Sequence, residues 1–274
     1  MKNALLATLL SMILSTPAFA TWTVIAVNKK TRQVTIASAT CVAQAGFVGI
    51  PSAGLMDIQA VVVPGKGIAA CQAAIDRTRK LQLTVFKEIQ KGTAPGKILD
   101  LLKADSAFES RQFGIVDLQG RAVGFSGSAN GVVALSVQDE VPDDGIVFSV
   151  LGNIVASAEV IHEAARAFKQ AGGSLSDRVM AAMEAADVKG GDRRCTCDTT
   201  PKPAAPCNGK TAQVAYILLA NSGDSNGKSH SDGKYAMYIN VTNEDIQPNE
   251  NANPVKTLRI RYDAWKKNNP TESK

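Results

Sequence analysis

The stretch that most constrains this chain is TWTVIAVNKKTRQVTIASATCV, positions 21–42. TWTVIAV and QVTIASATCV are rich in strand-forming residues, and the polar NKKTR between them is turn-forming, so the segment reads as a β-hairpin. A second hairpin is predicted where LQG separates RQFGIVD from RAVGFSG. Hairpins join antiparallel neighbours, whereas parallel strands need long crossovers. The expected class is therefore α+β with antiparallel sheets, not a Rossmann-type sheet.

Further elements follow from periodicity. LMDIQAVVV reads as a strand ended by PGKG. From Ile68 the pattern changes: Ile68, Cys71, Ile75, Thr78, Gln82, Val85 and Ile89 recur at three- and four-residue steps, which predicts an amphipathic helix. GTAPG stops it, and Pro95 opens a short helix over Ile98–Leu102. GIVFSVLGN is a strand, and helices are expected at Ser157–Ala171 and Ser174–Val188, the latter closed by GGD. TAQVAYILLA and KYAMYINV are strands around a polar turn, and NPVKTLRIRYDAWKK is a closing helix.

The first 20 residues have the layout of a secretory signal: Lys2, an apolar run Ala4–Leu14, then PAFA with its A-x-A end. The run is about half of the roughly 20 residues a membrane span needs. Removal after Ala20 would leave Thr21 first, and the remaining chain, 21–274, is expected to be a single domain, periplasmic or secreted, with no membrane span. A free N-terminal threonine carries a nucleophilic hydroxyl and an α-amine of pKa about 7.7–8.0, basic enough to take the hydroxyl proton near neutral pH. Thr21 is therefore the candidate catalytic residue, although signal peptidases leave many residue types at this position.

The formal net charge of +5 is spread rather than clustered, and the few aromatic residues do not alternate with basic ones, so no nucleic-acid partner is expected. No G-x-x-x-x-G-K-[ST], G-x-S-x-G or H-E-x-x-H motif occurs. Five cysteines are present: Cys41, Cys71, Cys195, Cys197 and Cys207. The last three share a loop-like insertion at about 195–208 and would suit zinc, but the chain has only His162 and His230 as imidazole ligands. Disulfides or free thiols are therefore expected, with no metal and no cofactor. Two of Cys195, Cys197 and Cys207 form the leading pair, with Cys207 a member because bridging Cys195 to Cys197 would strain the geometry.

Several segments resemble a known family. TWTVIAVNKKTRQVTIASA looks like its opening hairpin and LQGRAVGFSG its middle one. VLGNIVASAEVIHEAARAF and GGDRR are its most specific marks, and YINVTNEDIQPNENANPVKTLRIRYDAW is similar to its closing strand and helix. This is the bacterial family catalogued as domain of unknown function 1028, placed in the N-terminal-nucleophile (Ntn) hydrolase superfamily with the proteasome β-subunit and penicillin acylase. The resemblance implies a four-layer αββα sandwich of two antiparallel sheets, with Thr21 at the mouth of a cleft.

It also implies roles. Gln59 matches a polar position on the third strand, and Asn153 an amide that could serve an oxyanion. Asp192, Arg193 and Arg194 match the GGDRR mark, an Asp–Arg pair that orients a carboxylate or holds a pocket loop; for Asp192 and Arg193 helix capping and loop bracing are the structural alternative, and for Asn153 backbone tethering. The chain departs from the proteasome pattern: ASATCV has no acid, and LMDIQAVVV has no lysine, Asp57 being its nearest acid. Two functions follow as expectations. One is an exported amidohydrolase acting on a small-molecule or peptide substrate; the other is a non-catalytic envelope binding module using the same cleft. Self-association into a homo-oligomer is left open by both.

Overall fold

The computed structural model describes residues 21–47, 54–199, 205–225, 227 and 231–270. The expected signal segment 1–20, residues 200–204 of the insertion and His230 lie outside the described residues.

The opening hairpin is β1, Thr21–Asn28, and β2, Val34–Thr40. A short helix α1, Leu55–Gln59, leads into β3, Ala60–Val63, which turns back as β4, Gly67–Ala73. Helices α2, Lys80–Lys91, and α3, Pro95–Leu102, precede the second hairpin, β5, Arg111–Asp117, and β6, Ala122–Ser126. Next come β7, Leu135–Val141, β8, Ile146–Asn153, and helices α4, Glu159–Gln170, and α5, Leu175–Val188. The chain finishes with β9, Val214–Ala220, β10, Met237–Thr242, and α6, Pro254–Asn268. The strands form two antiparallel sheets, one of six in the order β10-β9-β2-β1-β8-β7 and one of four in the order β3-β4-β5-β6.

Alternation along β1 shows how the layers arise, because successive strand side chains point to opposite faces. Trp22, Val24 and Ala26 pack against apolar residues of α4, α5 and α6, among them Ile161, Phe168, Met183 and Leu258. Ile25 and Val27 face the other way, into a layer shared with Val62, Ile68, Ala70 and Val116 of the four-stranded sheet. On the far side of that smaller sheet, Val61, Ala69 and Ile115 pack against Val85, Ile89, Ile98 and Leu102 of α2 and α3. β1 is thus buried on both faces and paired on both edges, as an interior strand of the larger sheet.

Two expectations need correction. The segment from Ile68, read as the start of a long amphipathic helix, lies in strand β4, Gly67–Ala73, and the helix begins only at Lys80. The run IAACQA is short and apolar, so its period is ambiguous; pairing with β3 and β5 on both edges decides it. The break is local as well. Asp76 accepts from the backbone N–H of Thr78 and Leu81, and Arg79 takes a left-handed φ of 61°. Conversely LMDIQ, read as strand, is helix α1, which places Gln59 at a helix end one residue before β3 rather than on the strand. Strand β7 was not predicted from sequence: LSVQDEV is a half-exposed edge strand whose pattern is mostly polar.

Candidate functional site

Thr21 opens β1 and lies in register with Thr40 of β2 on one side and Asn153 of β8 on the other. Parity places Thr21 and Thr23 on the face of β1 that carries Ile25 and Val27, between the sheets. The inter-sheet layer is therefore apolar at the Asn28 end of β1 and polar at the Thr21 end. Thr21 is 1 % exposed and borders a small hollow lined also by Leu55, Ile58, Gln59, Cys71, Gln72, Ala73 and Ile75, with room for about one water.

A connected set of uncharged polar groups lies beneath this hollow. Thr23 Oγ1 donates to Gln72 Oε1 at 2.5 Å and accepts from Gln59 Nε2 at 3.2 Å. Gln59 Nε2 also donates to the Tyr216 hydroxyl at 3.1 Å. Gln72 Nε2 donates to the Thr21 carbonyl oxygen at 3.4 Å and to Gln112 Oε1 at 2.7 Å. Gln112 Nε2 reaches the Gly152 carbonyl at 2.8 Å, and Asn153 Nδ2 donates to Gln112 Oε1 at 3.1 Å. Buried polar groups are costly unless bonded, so this network holds the β1 and β8 ends to β4 and β5 in one arrangement. Asn153 is fully buried and its Oδ1 has no hydrogen-bond partner among the described residues.

The GGDRR segment closes the same end of the sheet. Asp192, fully buried, accepts from the Cys41 backbone N–H at 2.8 Å and bridges to Val155, two residues beyond Asn153. It thereby links the ends of β2 and β8, the strands flanking Thr21. The Asp–Arg pair is made with Arg194, whose Nη2 lies 2.7 Å from Asp192 Oδ2, and Arg193 is exposed. The glycines before it are required by space: Gly191 has φ +45°, and a Cβ there would lie 2.6 Å from the Trp22 ring.

Two disulfides are present. Cys197 pairs with Cys207 across the insertion, so Cys207 has the expected kind of partner. Cys195 pairs with Cys41, 154 residues away, a link no local pattern could reveal. Cys71 remains a free thiol. Its burial, reinforced by Asp76 and opposed by Arg111, pushes its pKa up to about 12, so it is protonated at neutral pH. Burial likewise raises the Tyr216 phenol well above its ordinary value.

The sequence-nominated residues thus divide. Thr21, Gln59 and Asn153 are brought together, Asp192 braces the strands beside them, and Arg193 is not joined to them. Gln72 and Gln112, central to the network, were missed because a strand glutamine carries no local signal; only the packing of β4 and β5 under β1 gives them partners. A larger cleft, about 690 Å³, lies at the other end of β1 among Arg32, Gly65, Lys66, Lys91 and Asp117. Its charges serve the fold: Arg32 donates to the Gly65 carbonyl, Lys66 to the Gln90 carbonyl, and Lys91 pairs with Glu88.

Comparison with known proteins places this geometry in a family. No curated protein matches the chain. The crystal structure of protein SPO2555 from Silicibacter pomeroyi, itself assigned to DUF1028, is similar over 90 % of this chain and 89 % of its own, with a TM-score of 0.64 and 20 % sequence identity. At that identity the likeness concerns the fold. Among the described residues no helix is long and apolar enough to cross a membrane. Residues 21–200 match the family described as Family of unknown function (DUF1028), and the chain belongs to that family.

Proposed function

We propose that the protein is an exported Ntn-type amidohydrolase, with residues 1–20 removed after Ala20 and Thr21 acting as nucleophile. The observation that carries this reading is a coincidence of position. The expected cleavage point, the first residue of the family match and the first residue of the central strand β1 are the same residue, and it borders a hollow between the sheets. The helix–sheet–sheet–helix succession of apolar layers supports the αββα reading. The two disulfides are compatible with an oxidising, extracytoplasmic location.

In this mechanism Thr21 Oγ1 bonds to the amide carbonyl carbon while the α-amine takes its proton. The resulting oxyanion is held by N–H donors, with the Asn153 amide at the register position beside Thr21. The C–N bond breaks as the proton passes to the leaving nitrogen, and water then cleaves the acyl-threonine ester. Gln72, bonded to the Thr21 carbonyl, positions the strand end.

A second reading, a binding module on the same fold, is favoured by one fact: among the described residues lining the hollow none is charged. Intact mass of the exported protein should match a chain starting at Thr21. A threonine-directed epoxyketone should then add once, at residue 21, and not to Thr21→Ala. A start elsewhere, or no adduct on a free Thr21, rejects the hydrolase in favour of the binding module.

A further inference from the structure

We infer that the cleft at the Asn28 end of β1 is a second binding site, which takes a small molecule bearing an oxyanion, a carboxylate or a phosphate. It is separate from the Thr21 site: the ends of β1 lie roughly 23 Å apart, about seven residue steps of ~3.3 Å. Four segments distant in sequence build the cleft. They are Arg32 in the β1–β2 turn, Gly65 and Lys66 in the β3–β4 turn, residues 89–93 at the end of α2, and residues 117–119 at the β5–β6 turn. Of its open space, about 310 Å³ can hold water-sized groups, against about 10 Å³ in the hollow beside Thr21. That is within the range of about 300–1,000 Å³ typical of small-molecule sites.

The charge of the cleft is unbalanced. Its one acid, Asp117, is spent: Oδ1 accepts from the backbone N–H of Gln119 and Arg121, and Oδ2 is paired with the Arg121 guanidinium at 2.6 Å. Lys91 is paired with Glu88 at 2.6 Å. Arg32 and Lys66 form no ion pair among the described residues; they donate to the uncharged carbonyls of Gly65 and Gln90. Those bonds fix both cations at the cleft without neutralising them, and they cover two carbonyl oxygens that would repel an anion. The C-terminal end of α2 offsets about half a charge. With Arg32, Lys66, Lys91 and Arg121 set against Asp117 and Glu88, an excess of more than one positive charge remains. Arg32 keeps its place there despite a left-handed φ of 60°, which glycine would adopt at no steric cost. Its planar guanidinium suits two oxygens of one acid group, while Lys66 acts as a point charge. Ile89 and Leu118 add apolar contact for the rest of the ligand.

The test is calorimetric titration of the purified protein at pH 7 and low ionic strength with inorganic phosphate, pyrophosphate, succinate and citrate. At least one probe should bind saturably, one per chain, and whether phosphates or carboxylates bind tighter identifies the acid group. Arg32→Gln and Lys66→Gln should each weaken that binding about fivefold or more, a charged hydrogen bond being lost in a partly solvated cleft. Lys267→Gln, at an exposed lysine of α6 outside the cleft, should leave it within about twofold. Raising NaCl to about 0.5 M should weaken it about tenfold. The unsubstituted chain supplies a second measurement should a variant fail to fold. With the probe at about four times its Kd, occupancy should slow acetylation of Lys66 by acetic anhydride about fivefold relative to Lys267. The epoxyketone result at Thr21 is independent of all these outcomes. No saturable binding by any probe at about 10 mM, tenfold above a 1 mM Kd, overturns the inference. Binding unmoved by Arg32→Gln or by Lys66→Gln, or acetylation of Lys66 unchanged by the bound probe, overturns it equally.

Discussion

Removing Cys41–Cys195 should destabilise the protein far more than removing Cys197–Cys207. The two closed loops differ in span, 154 residues against 10, and neither lies inside the other, so each constrains the unfolded chain separately. In the chain-entropy account the stabilisation grows as 1.5RT times the logarithm of loop length. The absolute values are about 5 kcal/mol for the long loop and about 3 kcal/mol for the short one, and the difference, 1.5RT ln(154/10), is about 2.4 kcal/mol. Native-state effects point the same way. Cys41 directly follows β2, and its N–H is bound by Asp192, so the bridge sits beside the Thr21–Thr40 register pair. Cys197–Cys207 spans only the insertion. The perturbations are the double variants Cys41→Ser/Cys195→Ser and Cys197→Ser/Cys207→Ser, compared by thermal and guanidinium unfolding under non-reducing conditions. At about 2–4 °C per kcal/mol for a domain near this size, the first pair should lower Tm by about 10–20 °C. Equal losses in the two variants, or a larger loss for Cys197/Cys207, would refute the argument and show that Cys41–Cys195 does not close the long loop.

Thr21→Ala should abolish any turnover with about 1 kcal/mol or less of stability lost; Thr21→Ser should retain part of it, and a chain with one extra residue before Thr21 should be inactive, checked by product release and urea midpoint. Full activity with a blocked Thr21 would end the N-terminal mechanism. Gly191→Ala, which must hold φ +45° against the Trp22 ring, should cost about 1–3 kcal/mol, whereas Gly172→Ala, with nothing within 4 Å, should be near neutral in the same denaturation assay. Burial pushes the Asp177 carboxyl up, but hydrogen bonds from Lys266, Ser174 and Tyr262 outweigh it and hold it below its ordinary value of 3.8. Its contribution is therefore present above about pH 4 and lost as pH falls below that, so Asp177→Asn should flatten the acid side of the stability–pH curve. One thiol, Cys71, should be alkylated slowly in the folded protein and readily in denaturant; five reactive thiols would contradict both disulfides.

What the sequence determined by itself was whatever short-range pattern controls. The β1–β2 and β5–β6 hairpins were legible because strand-forming runs flank a few turn residues. Helices α4 and α5 and the closing α6 were legible because their apolar positions recur at helical spacing. The candidacy of Thr21 came from an expected processing signal abutting a strand-forming run. Tertiary structure decided the rest, wherever local preference was weak or the partner distant. IAACQA became β4 because edges on both sides bind it, and small residues offer no period strong enough to object. LMDIQ curled into α1, moving Gln59 from a strand to a helix end. Cys41 found Cys195 only because β2 and the GGDRR segment meet at one end of the sheet. Gln72 and Gln112 became site residues for the same reason: an amide in a strand has no local signature, and it is the burial of four buried amides, Gln59, Gln72, Gln112 and Asn153, around the Thr21 end of β1 that makes each require the others.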